Sequence, residues 1–94
     1  PHSFLSTRRS MSRKRMDILR AVSRERDYQD RKWGTIYEHP HTVGEWLLIM
    51  ENELAEAKTA WCEGTGDEGA LSELLQVVAV GFAAMEQHGI SERA

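Results

Sequence analysis

The chain has 94 residues, 40% hydrophobic and 29% charged, with a formal net charge of −3. A chain this short makes one small domain with limited apolar burial, so association of copies is an expected way to complete the core. The sequence holds no repeats and no low-complexity segments, and the single cysteine, Cys62, excludes an internal disulfide.

The charge is unevenly placed. Residues 1–32 carry ten of the twelve Lys and Arg, whereas residues 45–94 carry ten of the fifteen acids and only two bases, Lys58 and Arg93. The basic cluster Arg8, Arg9, Arg13, Lys14 and Arg15 is short and has no interleaved aromatics, so nucleic acid is not the expected partner. No apolar run reaches membrane-span length, and no membrane partner is expected. Residues 1–10, PHSFLSTRRS, lack the apolar centre of a signal peptide, and Met11 resembles a natural start. The first ten residues are therefore expected to be a leader or an appended segment, with 11–94 as a single helical domain. Cys62 stands beside Glu63 in an acidic region, without the electropositive setting of a reactive thiol. It reads as an inert, partly buried residue of a cytoplasmic protein.

The first helix is predicted from about Ser12 to Arg31. Met16, Ile18, Leu19, Val22 and Tyr28 give it a narrow apolar stripe among many charges, and Trp33-Gly34 ends it. The connection 35–41, TIYEHPH, contains Pro40, which favours an extended residue before it. His39 and His41 stand near Glu38, but no Cys or His lies at structural-zinc spacing. A loop role leading into the next helix is the better reading for both.

The second helix starts at Thr42, where Thr42-Val43-Gly44-Glu45 fits a capping box, and runs to about Cys62. Gly64 and Gly66 stop it. Asp67, or Thr65 with Glu68, can cap a third helix from about Glu68 to His88, which Gly89 ends. His88 then sits in the last turn, where partial positive charge suits the helix dipole. The pattern has no strand alternation. The fold class is all-α: an antiparallel helical hairpin preceded by an N-terminal helix, completing a four-helix-bundle-like core by oligomerisation.

At about 100° per residue, Trp46, Leu47, Met50, Leu54, Ala57 and Trp61 share one apolar face of the second helix. Trp46 and Trp61 read as core anchors. Glu53 falls at the edge of this face, beside Ile49 and Ala60, where a carboxylate is costly unless a cation or donor meets it. On the third helix Leu71, Leu74, Leu75, Val78, Phe82 and Met85 form the stripe expected to pack on the second helix, with Met50 and Met85 as core. The opposite side carries Glu73, Gln76, Val80, Ala83, Ala84 and Gln87. Residues 77–85, VVAVGFAAM, hold no charge at all, so a second subunit is expected to cover that other side.

Two pairs stand out: Glu53 with Glu56, and Glu73 with Gln76. Each is three apart and so shares a helix face. A short turn at 63–67 brings Glu56 and Glu73 together, each roughly two helical turns from it. Three carboxylates and an amide oxygen suit a hard cation such as Mg²⁺ (or Mn²⁺), which can bind triphosphate oxygens. A salt-laced surface remains the other reading of the same pattern. No P-loop is present, so triphosphate would have to be handled through metal and helix.

The run Asn52-Glu53-Leu54-Ala55-Glu56, sixteen residues, then Glu73-Leu74-Leu75-Gln76 resembles the MazG-like, all-α nucleoside triphosphate pyrophosphohydrolases, whose motif is E-E-x-x-E followed by E-x-x-D. The stretch 25–34, ERDYQDRKWG, and the run 74–81, LLQVVAVG, look similar to a phage and mobile-element branch of that group. The resemblance covers about residues 16–89. It implies hydrolysis of a (d)NTP to (d)NMP and pyrophosphate, in nucleotide-pool housecleaning, by a homodimer or dimer of dimers. Glu53, Glu56 and Glu73 would hold Mg²⁺, with Gln76 as auxiliary ligand, and Glu45 could lend further charge. Lys32 and Arg31 could meet phosphate and Trp33 could stack on a base. Alternatively Trp33 plugs the loop from beneath and Lys32 is a solvated charge. Two positions depart from the family pattern: Asn52 replaces its first Glu and Gln76 its Asp. Each removes a negative charge, which keeps open a weak or inactive module that binds a nucleotide or a partner.

Overall fold

The computed structural model describes the backbone of residues 2–93 and the side chains of residues 11–93. Helix α1 spans His2–Trp33, α2 spans Val43–Cys62 and α3 spans Gly66–His88. The described residues contain no strand, as the hydrophobic pattern predicts.

Helix α1 starts well before the predicted Ser12 and runs through the segment expected to be a leader. No Gly or Pro interrupts residues 2–33, and Leu, Met, Arg and Lys are good helix formers. The helix stops at Gly34, whose φ of 91° is open to glycine and whose N–H closes the last turn on Asp30 O at 3.0 Å. A Cβ at Gly34 would also lie 2.5 Å from His39 Cδ2, so the close ring excludes a side chain a second time. The connection folds back on itself. Thr35 N donates to Glu38 Oε1 (2.9 Å) and Glu38 N donates to Thr35 Oγ1 (3.3 Å). The hydrogen bond from the Thr35 backbone N–H, and then the Thr35 side chain, hold the Glu38 carboxyl below its usual range.

The capping box of α2 forms as expected. Glu45 N donates to Thr42 Oγ1 at 3.1 Å and Thr42 N to Glu45 Oε1 at 2.7 Å. The bonds from Thr42 lower the Glu45 pKa. Glycines 64 and 66, both at positive φ, make the turn. Helix α3 then begins two residues earlier than predicted, and neither candidate side chain caps it. Thr65 Oγ1 donates backwards to Ala60 O (2.8 Å), and Asp67 Oδ1 accepts from Trp61 Nε1 (2.8 Å).

Helices α2 and α3 form the expected antiparallel hairpin. Helix α1 packs on α3 and, among the described residues, does not reach α2. The core is small: Val22, Ile36, Trp46, Ala57, Val77, Ala79, Val80 and Ala83. A methyl group of Met50 lies 3.1 Å from where a Cβ of Gly81 would be, so glycine lets the hairpin close.

The faces of the hairpin are the reverse of the expectation. The side of α3 carrying Val80 and Ala83 is the buried one, while Leu71 (63% exposed), Leu74, Val78, Phe82 and Met85 are exposed. On α2 only Trp46 and Ala57 are buried, and Leu47, Leu54 and Trp61 (59% exposed) are open. Trp61 and Met85 are thus not core, and Cys62 is exposed rather than partly buried. On α1 Met16, Ile18, Leu19 and Tyr28 are also exposed, leaving Val22 as the buried member of its stripe. A helix apolar on every side can turn either stripe inward. Here the small-residue stripe, with Ala79 and Ala83, is the one turned inward. Ala57, Trp61, Leu71 and Leu74 line a groove of about 430 Å³ on the open side. Although no apolar run of span length was expected, α3 is long and apolar enough to cross a membrane, with mean hydropathy 1.3 over 18 residues. A core helix passes that test equally well, and α3 carries Glu73, Gln76, Glu86 and Gln87.

Gly34→Ala is expected to destabilise the fold by about 1–3 kcal/mol, from the positive φ together with displacement of the His39 ring. Urea denaturation monitored by helical circular dichroism measures it.

Candidate metal centre and cleft

Because α1 meets α3 but not α2, a cleft opens between α1 and α2, with α3 as its floor. Its volume is about 590 Å³. Glu25, Arg26 and Gln29 line it from α1, Trp46, Ile49, Glu53 and Glu56 from α2, and Gln76, Val80 and Ala83 from α3. Gly34, Thr35, Ile36, His39 and His41 of the connection form its end wall.

Glu53, Glu56 and Glu73 come together, each offering a carboxylate oxygen within 4.8 Å of the others. The antiparallel hairpin produces this approach, since the i,i+3 pair of α2 faces the first turns of α3. Glu73 enters from an adjoining groove lined by Thr59, Ala60 and Ser72. Glu53 is the most constrained of the three. Its Oε2 is buried and, among the described residues, has no hydrogen-bond partner. Burial first, then the charges of Glu56, Glu73 and Glu25, raises its pKa. An orphaned buried carboxylate oxygen among like charges is unfavourable, and a cation relieves both penalties at once. The donor set is all oxygen, which fits Mg²⁺ or Mn²⁺ rather than a thiophilic metal.

The remaining sequence candidates divide. Gln76 lines the cleft, and its backbone oxygen accepts from Gln29 Nε2 at 3.5 Å. Lys32 and Trp33 are at the cleft, with Lys32 Nζ 4.9 Å from the Trp33 ring centroid and 5.7 Å from that of Tyr28. Trp33 is 68% exposed, so it is not a plug beneath the loop. Arg31 is exposed and does not line the cleft, because the helical step from Lys32 turns it away. Asn52 is exposed and outside the cleft, and Glu45 is engaged in its cap.

Sequence reasoning missed Arg26. It is 6% exposed, and its Nε donates to Glu86 Oε1 at 2.7 Å, NH1 to Gln29 Oε1 at 3.2 Å and NH2 to Asp30 Oδ1 at 2.9 Å. Burial works against its charge, but the bonds to Glu86 and Asp30 outweigh burial and raise its pKa. The i,i+3 and i,i+4 spacing to Gln29 and Asp30 is a usable signal; the pairing with Glu86 needs the fold. His41 was missed as well, as a wall residue. Its ring meets Trp46 edge-on, with centroids 4.7 Å apart at 82°.

Glu53→Gln removes an uncompensated charge, so without divalent metal it is expected to melt higher than wild type by about 4–8 °C per kcal/mol gained. Wild type should gain stability with millimolar Mg²⁺ or Mn²⁺ and the variant should not; thermal melts with EDTA and with metal check both. A raised carboxyl pKa stabilises below the ordinary pKa near 4.5 and loses that contribution as pH rises through the folded value. In EDTA the melting difference between variant and wild type should therefore grow as pH rises across that window. Compared with known proteins, this chain matches no family model, no curated protein and no solved structure.

Proposed function

We propose that the chain is a Mg²⁺-dependent nucleoside triphosphate pyrophosphohydrolase of the MazG-like kind, converting a (d)NTP and water to (d)NMP and pyrophosphate. One observation carries it: a three-carboxylate cluster with an orphaned oxygen, Glu53 Oε2, in a cleft whose other end is aromatic. Trp46 precedes Glu53 by seven residues on α2, about 10 Å along the helix axis. A nucleoside triphosphate, polyanionic at one end and planar at the other, suits that separation.

Glu53, Glu56 and Glu73 would hold the ion, with Gln76 as an auxiliary oxygen. Such an ion would supply charge neutralisation at the phosphates and would activate water. The chain's own residues supply the rest. Lys32, braced on Trp33 and Tyr28, meets phosphate at the rim; Arg26 is already engaged by two acids and a glutamine. Trp46, Ile36 and the imidazole of His41 receive the base.

The open apolar stripes of α2 and α3 support a homo-oligomer, in which a second copy covers Leu54, Leu74, Val78 and Phe82 and completes a bundle. The free thiol of Cys62 suits a reducing cytoplasm. The uncharged Asn52 and Gln76 favour a second reading, a module that binds nucleotide or a partner without hydrolysing it.

Incubation with each NTP and dNTP and Mg²⁺ should release NMP and pyrophosphate. Glu73→Gln should lower turnover about 100-fold or more while the helical spectrum is kept. Folded protein that turns over no nucleotide refutes the hydrolase, and calorimetric binding without turnover then supports the second reading. Sedimentation should show a dimer or larger species, and Leu74→Glu should shift it towards monomer.

A further inference from the structure

The end wall of the cleft is secured by one side chain outside it. His41 N donates to Gln87 Oε1 at 3.1 Å, and Gln87 Nε2 donates to His41 O at 2.7 Å. A side-chain amide thus pairs with a peptide group as one strand pairs with another. The same Oε1 accepts from Trp46 Nε1 at 3.0 Å. His88 Nε2 adds a contact to His41 O at 2.8 Å. Among the described residues no backbone group bonds either peptide group of His41. A polar backbone at a wall needs such partners, and Gln87 provides them from the far end of α3.

These bonds converge on one surface. Gln87 fixes the backbone of His41 and the indole of Trp46, and the two rings then meet edge-on. Trp46 packs in turn with Ile36, Val80 and Ala83. We propose that Gln87 is the positioning residue of this aromatic wall, setting the subsite that receives the planar end of a nucleoside triphosphate. This rests on the nucleotide reading above. Gln87 acts through His41 and Trp46 and stands on the helix end away from the carboxylates. Its loss should therefore loosen the wall and weaken nucleotide binding without weakening metal binding.

The test uses the full chain with Gln87→Met, which keeps length and removes the amide. Three quantities are measured: hydrogen exchange at the His41 amide, affinity for an α,β-imido nucleoside triphosphate, and Mn²⁺ affinity by electron paramagnetic resonance. Protection at His41 should fall about tenfold or more and analogue affinity about tenfold, as expected for lost hydrogen bonds, with Mn²⁺ affinity unchanged. If Gln87→Met does not fold, Gln87→Glu replaces it: its second oxygen repels His41 O where the amide donated, which drives the paired groups apart, and the same directions are expected. Unchanged protection at His41 overturns the latch. Raised exchange with unchanged analogue affinity overturns the positioning role, and so does a parallel loss of Mn²⁺ affinity. If wild type binds Mn²⁺ but no analogue, the nucleotide reading and the subsite fall together, while exchange at His41 still decides whether Gln87 holds the wall.

Discussion

The guanidinium of Arg26, nearly sealed from water, ties α1 to Glu86 on α3 while Asp30 and Gln29 of α1 itself complete its shell. Arginine suits this place because its fixed fork of donors can serve three acceptors at once. Helix α1 is held on α3 and leaves α2 at a distance. The cleft is the space that results, and its floor is the small-residue side of α3. Were the same helix drawn against the hairpin as a third packed member, Glu53 would meet side chains rather than an open space. A buried charged network is weak evidence for stability, and here its evident effect is the placement of one helix.

Two opposite electrostatic arrangements sit in the same cleft. Around Arg26, charges of opposite sign meet and are hydrogen-bonded. Around Glu53, three carboxylates approach one another with one buried oxygen left over. The apolar edge at Ile49 and Ala60, where the helical wheel already places Glu53, flanks the second arrangement. That unpartnered oxygen is the observation on which the proposed metal site rests.

Much of this was legible in the residues. Thr42 and Glu45 announce a capping box by spacing alone, and the bonds form. The pairing of Glu53 and Glu56 with Glu73 follows from two helices and a short turn, whatever the details of packing. The faces of α3 were not legible. Ala79, Val80 and Ala83 differ little in polarity from Val78 and Phe82, so periodicity cannot choose between two apolar stripes. For the same reason Trp61 and Met85 were misplaced. Arg31 and Lys32, adjacent in sequence, lie on different sides of a helix, and only the position of α1 tells which one meets the cleft. Gln87 looked like an ordinary polar residue near a helix end. Its partners lie more than forty residues away, and no local pattern carries that pairing.

Helix α1 is also a study in uneven support. From Val22 onward it is anchored by α3, but residues 11–20 are exposed on every side. An unsupported helical stretch of this length is marginal in water, because each turn is sustained only by its own hydrogen bonds and by continuity with the anchored part. The two halves of one helix therefore belong to different stability classes. The anchored half opens with the global fold, and the free half opens by local fraying that costs far less. Proteolysis would begin at Arg13, Lys14 and Arg15 long before the cleft was disturbed, and a ligand laid along that arm would gain order without altering the cleft at the other end.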